Sequence, residues 1–157
     1  MFRKMRRKDR QLGNEQAIEI LQQGEYGVLS TLGENGYPYG LPLNYIVLDE
    51  DIYFHCAMEG QKIDNILYNE KVSLCVVEKS EIKPKEFSTD YSSVIVFGRA
   101  MEAGEEERQK ALQEFVNKYS PAYLKEGKDY IEKMKENTRI MKIEVVHMTG
   151  KARNRKK

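Results

Sequence analysis

The chain has 157 residues, of which 40% are hydrophobic and 32% charged, with a net charge of +1. It is long enough to bury one core and reads as a single soluble domain over residues 1–157. No apolar run approaches the length of a membrane span, and no apolar segment follows the basic start MFRKMRRKDR, so neither a membrane helix nor a secretory signal is expected.

The charge is unevenly placed. Residues 1–10 carry six basic side chains and one acidic, and residues 150–157 carry five basic and none acidic, so the body between them is acidic. Basic ends on an acidic body could bind nucleic acid. The simpler reading is flexible, solvated ends at 1–10 and 151–157, or ends that pack near an anionic ligand or the acidic body, and nucleic acid is not an expected partner. Cys56 and Cys75 fall in predicted strands without CxxC or Cys/His spacing. No metal site is expected, and a reduced, cytoplasmic setting is the simplest.

In chain order, Asn14 is a plausible N-cap for a helix carrying Ala17, Ile18 and Leu21, which Gly24 ends. The stretch 25–32 reads as a strand, and Asn35-Gly36 as a hairpin turn. The glycines around that turn do not fit GxGxxG, so a nucleotide loop is rejected. Residues 37–48 alternate as one strand, with Tyr37, Tyr39, Leu41, Leu43, Tyr45 and Val47 on one face and Pro38 and Pro42 on the other. Proline cannot donate to a ladder, so the sheet should be open near Pro42. Residues 52–56 return as the hairpin partner, and a helix starts near Gln61. A strand is expected at 71–77, a covering loop at 78–90 and a strand at 91–102. An amphipathic helix should follow from Glu105 to Tyr119, stopped by Pro121, then a shorter helix at 128–136 and a last strand at 139–150. The sum is an α+β fold, mainly antiparallel: a small six-stranded barrel with flanking helices.

The residues with chemical potential are few. Gly60-Gln61-Lys62 opens a helix, where free N–H groups, the helix dipole and the Lys62 charge would favour an anion such as phosphate. A lysine in a first helical turn is more often merely solvated. His55 ends a strand close to that start and could contact a ligand, although a lone histidine is more often structural. His147 is in phase with Met141, Ile143 and Val145 and reads as core or interface. Ser92 and Ser93 could bind phosphate or satisfy local backbone. There is no GxSxG and no carboxylate at a useful spacing for a serine triad.

Several stretches together are more telling: MRRKDRQL, GEYGVLST, GYPYGLPLNY, IYFHCAMEGQKIDNI, SSVIVFGRA, NKYSP and MTGKARN. In this order they cover nearly the whole chain. The sequence resembles the nitroimidazole-resistance (Nim) proteins, a branch of the pyridoxamine 5′-phosphate oxidase-like family of FMN-binding split barrels. The resemblance implies a homodimer with an FMN site at each side of the interface. The flavin ring would lie against the backbone of Pro42, Leu43, Asn44 and Tyr45. The phosphate would be held by His55, Cys56, Ala57, Gln61 and Lys62. Ser92, Ser93, Thr149 and Lys151 would approach the flavin or phosphate, partly from the other subunit. His55 would orient the acceptor or supply a proton. Many relatives carry a small residue such as serine or glycine where this chain has Cys56, which puts a hydroxyl contact there in doubt. The full basic set for a vitamin B6 phosphate cannot be located.

Three classes of function stay open at this level. The first is an FMN-dependent reductase of small acceptors such as nitroimidazoles, fed by a reduced nicotinamide or another donor. The second is a flavin- or haem-binding protein with little turnover. The third is an oxidase of pyridoxamine phosphate. The fold alone cannot separate them.

Overall fold

The computed structural model describes residues 1–153; the last four residues of the expected basic tail lie outside that range. The elements in order are α1 (Asn14–Gln23), β1 (Gly27–Leu32), β2 (Pro38–Leu43), β3 (Ile46–Leu48), β4 (Asp51–Cys56), α2 (Gln61–Tyr68), β5 (Lys71–Lys83), β6 (Ser88–Glu102), α3 (Glu105–Tyr119), α4 (Leu124–Met134) and β7 (Arg139–Arg153). The first helix takes Gly13 rather than Asn14 as its cap. The helix expected at 128–136 begins four residues earlier, after a 3-10 turn at Pro121–Tyr123.

The strands make one antiparallel sheet in the order β2-β1-β5-β6-β7-β4-β3. β2 and β3 are its two outermost strands, yet only Asn44 and Tyr45 separate them in the chain. The three peptide units from Leu43 to Ile46 span at most about 11 Å. The sheet must therefore curl until its edges nearly meet, giving a barrel split along one seam. Pro38 and Pro42 are tolerated because β2 pairs with β1 alone. The expected open ladder at Pro42 is that edge. The run 37–48 is two strands, not one, so the sheet has seven strands rather than six. The break falls where Tyr45 leaves one edge for the other and buries its ring completely.

The barrel interior is the main core. Leu29, Phe54, Leu74, Val76, Val94, Val96 and Ile143 fill it, α1 plugs one end with Ala17, Ile20 and Leu21, and α2 adds Ile63 and Ile66. A second core forms outside the barrel, where Ala111 and Phe115 of α3 pack on Ile46, Tyr53 and Ile140. The rest of the outer face has no such cover. There Val28, Val77, Ile95 and Phe97 stand exposed on β1, β5 and β6.

Two expectations fail for identifiable reasons. The stretch 78–90 is not a loop: β5 and β6 continue as a paired arm from Lys79↔Ser92 to Lys83↔Ser88, closed by a 3-10 turn at Pro84–Glu86. The arm projects beyond the core, so most of its side chains are polar, its apolar Ile82 and Phe87 stand exposed, and no alternation marks a buried face. His147 is not in phase with Val145. Phe97 pairs with His147 but Gly98 pairs with Val145, so Val146 is an extra residue, a β-bulge. Beyond it the parity of β7 reverses, and His147 faces outward, stacked on Phe2 at 4.4 Å. Gly98 is required opposite the bulge, because a Cβ there would sit 2.5 Å from the Glu144 carbonyl oxygen.

Candidate functional site

Strand alternation sorts the expected site residues onto different surfaces. On β4, Phe54 and Cys56 point into the barrel core, while Tyr53 and His55 point out towards α3. The Cys56 thiol is therefore packed inside, 7% exposed, and burial pushes its pKa up. Only its main chain and that of Ala57 face the loop that follows. The His55 imidazole meets Phe115 edge-on, with ring centroids 4.9 Å apart. Burial first, and then the charge of Lys62, lower its pKa, so it is held neutral near pH 7.

The loop after β4 turns on Gly60, whose φ of 139° suits glycine. The Gly60 carbonyl takes the amides of Ile63 and Asp64, at 2.8 and 3.2 Å. The amides of Gln61 and Lys62 in the first turn have no intrahelical acceptor. The Gln61 side chain folds back to donate to Asn65 at 2.7 Å, and Asn65 donates to Thr31 at 2.9 Å. Gln61 thus offers its main chain rather than its side chain, and Lys62 supplies the charge. Arg139 was not expected here. It pairs with Glu102 at 2.7 Å and donates to the Met58 carbonyl at 3.0 Å, which fixes the loop before α2. Its partners lie far off in sequence, so nothing local marks it.

At the seam, Pro42 and Leu43 end β2, and the Asn44 side chain donates to the Glu25 carbonyl at 2.8 Å. Tyr45 is fully engaged. Its amide donates to the Tyr119 hydroxyl at 3.1 Å, its carbonyl accepts from Lys118 at 3.0 Å, and its own hydroxyl donates to the Leu21 carbonyl at 2.5 Å. No main-chain group of Tyr45 is left over, so its part is to hold the seam in place. An apolar cleft of about 290 Å³ opens beside Asn44 and His55, between α3 and α4.

The remaining residues divide again. Ser92 and Ser93 are neighbours on β6 and so point to opposite faces. Ser92 is buried opposite Ala152, with its hydroxyl hydrogen-bonded to Glu78. Ser93 pairs with Lys151, and Ile95 with Thr149, on the outer face. Thr149 and Lys151 lie about ten residues along β7 from Ile140, the partner of His55. That is on the order of 30 Å along a strand. Within one chain, these outer residues and the His55–Lys62 segment form two separate groups.

The sequence pattern of the family described as pyridoxamine 5′-phosphate oxidase matches residues 13–152. The chain belongs to that family. No curated protein matches the chain. Among solved structures, a candidate 5-nitroimidazole antibiotic resistance protein from Bacteroides thetaiotaomicron superposes with a TM-score of 0.76 at 21% identity, over 90% of this chain and 86% of that one. A conserved hypothetical protein from Mycobacterium tuberculosis gives 0.81 at 18% identity, over 95% and 90%. An FAD-binding protein from Mesorhizobium loti gives 0.68 at 22% identity, over 92% and 98%. These likenesses establish the fold of this member of the pyridoxamine 5′-phosphate oxidase family. Among the described residues, no helix is long and apolar enough to cross a membrane.

Proposed function

We propose that the chain is an FMN-binding homodimer of the nitroimidazole-resistance type, which reduces small acceptors. One observation carries this reading: the open β2 edge, an outward His55 on β4 and an anion-ready helix start at Gln61–Lys62 on α2 come close together, with Asn44 and His55 lining one cleft and the Lys62 charge acting on His55. Those residues fit a flavin mononucleotide. The Gln61 and Lys62 amides and the Lys62 ammonium would hold its phosphate. The main chain of Pro42–Asn44 would face its ring. When bound, the flavin supplies the hydride and electron chemistry. His55 would donate a hydrogen bond to an acceptor oxygen, its ring packed edge-on against Phe115 on one side and open on the other.

The second copy is part of the proposal. Ser93, Thr149 and Lys151 are too distant from His55 to share a ligand within one chain, and they sit on the outer face, where the N-terminal segment packs Phe2 on Phe97 and His147 but leaves Val28, Val77 and Ile95 exposed. Two outer faces apposed would bury Val28, Val77, Ile95 and Phe97 and bring one copy's outer residues to the other's helix start. The described FAD-binding and nitroimidazole-resistance relatives support the cofactor class and the acceptor class. Both cysteines are free, in keeping with a cytoplasmic setting.

The test is the visible spectrum of the purified chain, followed by nicotinamide-driven reduction of a nitroimidazole. Oxidised-flavin bands and turnover are expected. A Soret band would replace flavin with haem, and oxidation of pyridoxamine phosphate would replace the reductase with the oxidase. Lys62→Ala should weaken FMN binding about tenfold or more, the scale of a charge-assisted hydrogen bond. Unchanged affinity would move the phosphate away from α2.

A further inference from the structure

We infer that the cleft between α3 and α4 is a binding pocket for a neutral aromatic ligand of one or two rings carrying a nitro or quinone oxygen. The assignment of that ligand as the acceptor rests on the reductase reading above.

The cleft is built, not a loose fit of two helices. Gly127 of α4 touches Val116 of α3 so closely that a Cβ at 127 would lie 2.4 Å from the Val116 Cγ1. At the far end, Arg108 of α3 donates to the Thr138 carbonyl at 3.1 Å, which ties down the chain leaving α4. Between these two pins stand Ile131 and Met134, one and two turns beyond Gly127 on the same side of α4. They are far wider than glycine, yet α4 buries none of its residues. The helices therefore splay, and a cavity of about 290 Å³ remains over Leu112 and Phe115.

The lining selects the ligand. Its walls are Leu112, Phe115, Val116, Ile131 and Met134, which favour a flat apolar ring. Among the described residues that line the cleft, the one cation is Lys135, which is paired with Glu132 at 2.7 Å. Among the described lining residues a phosphate or carboxylate would find no unpaired cation, so pyridoxamine phosphate is the poorer occupant. Where the cleft meets the barrel, His55 stands edge-on to Phe115, with ring centroids 4.9 Å apart. A neutral imidazole N–H suits a nitro or quinone oxygen. The volume is near the lower end of ordinary ligand pockets, which matches one or two rings and not an extended molecule.

The test uses the full chain with ¹³C-methyl-labelled methionine, without flavin and with FMN added, titrated with 2-methyl-1,4-naphthoquinone. The Met134 signal should shift saturably in both forms, while Met148, about eight residues along β7 from Ile140, stays still. Ile131→Trp should fill the cleft and weaken quinone binding about tenfold or more, with FMN affinity unchanged. Because α4 buries no residue, that variant should keep the wild-type circular dichroism. No saturable Met134 shift would overturn the inference. So would a loss of FMN binding in Ile131→Trp, which would make the cleft the cofactor's own seat. An equal response to pyridoxal phosphate would overturn the neutral-ligand assignment. If the chain binds no FMN but Met134 still responds to the quinone, the reductase reading falls and the pocket stands.

Discussion

The Tyr119 hydroxyl lies 3.1 Å from the Tyr45 amide nitrogen and 2.7 Å from the Tyr45 carbonyl oxygen. One side chain from the end of α3 thus clasps both main-chain groups of the residue that carries the chain across the barrel seam. Ladder bonds would normally satisfy those groups, and at the seam there is no ladder. The open edge that makes room for a ligand is kept in register by a helix from another part of the chain.

Tyr119→Phe removes that clasp. The buried Tyr45 amide loses its acceptor, and the carbonyl keeps only Lys118. The expected cost is about 1–3 kcal/mol of stability, the usual penalty for an unpaired buried polar group. Urea denaturation would measure it. Tyr130→Phe, at an exposed position on α4, is the control and should cost little. Equal effects from the two variants would refute the clasp.

Lys118 should make stability depend on pH in an unusual direction. Its ammonium lies 2.8 Å from the Gly24 carbonyl, 3.0 Å from the Tyr45 carbonyl and 4.3 Å from the Tyr45 ring centre, and burial pushes its pKa down to about 8. Below about pH 8 it is charged in folded and unfolded chains alike. Between about 8 and the ordinary 10.5, the unfolded chain keeps a proton that the folded chain has released. Stability therefore rises with pH in that window. Tyr45 and Tyr119 have pKa values raised by burial and oppose this trend only once unfolded tyrosine ionises, near 10. Denaturation of wild type and Lys118→Met between about pH 7 and 9.5 should show wild type gaining stability relative to the variant as pH rises, while the buried Cys56 and Cys75 thiols, with raised pKa values, lower both alike. Parallel curves would remove Lys118 from the account.

Gly98→Ala tests the bulge. The new Cβ would meet the Glu144 main chain, which cannot swing aside as a side-chain end can. A loss of about 1–3 kcal/mol is expected, as for other overpacked sites. Gly40→Ala, on the edge strand with only ordinary contacts around it, should be far milder. A tolerated alanine at 98 would mean that the register across β6 and β7 is not pinned there.

Ile95→Glu tests the second copy. Ile95 is 43% exposed at the centre of the uncovered outer face, so a charge there should leave the isolated fold intact. In sedimentation, wild type should run as a dimer. The variant should dissociate at concentrations at least about tenfold higher, for the cost of burying an unpaired charge. A monomeric wild type would end the two-chain reading of the site.

Much of this was legible in advance because it is local. Apolar alternation located the strands, the 3.6-residue spacing of Leu112, Phe115 and Tyr119 located α3, and Pro42 announced an open edge. The order of short motifs brought the family into view. What escaped was either mostly polar with its apolar side chains exposed, like the arm at 79–90, or dependent on a single inserted residue. Val146 is one residue among many, yet it reverses the direction of every side chain after it, and no pattern in the sequence marks it.

The sequence by itself determined most of the element types, the helix start at Gln61–Lys62 and the candidacy of His55, because propensity, periodicity and helix-end chemistry act over a few residues. Tertiary structure alone decided which faces meet. Curling the sheet brought β2 and β3 to one seam, set Lys118 and Tyr119 on Tyr45, and turned Cys56 and Ser92 inward. It left Ser93, Thr149 and Lys151 on an outer face far from His55. Those outcomes depend on register and closure, which are set by contacts between residues up to about a hundred positions apart. The seam at Asn44–Tyr45 is therefore readable in the chain only as a proline-rich run, and in the fold as the place around which a site can form.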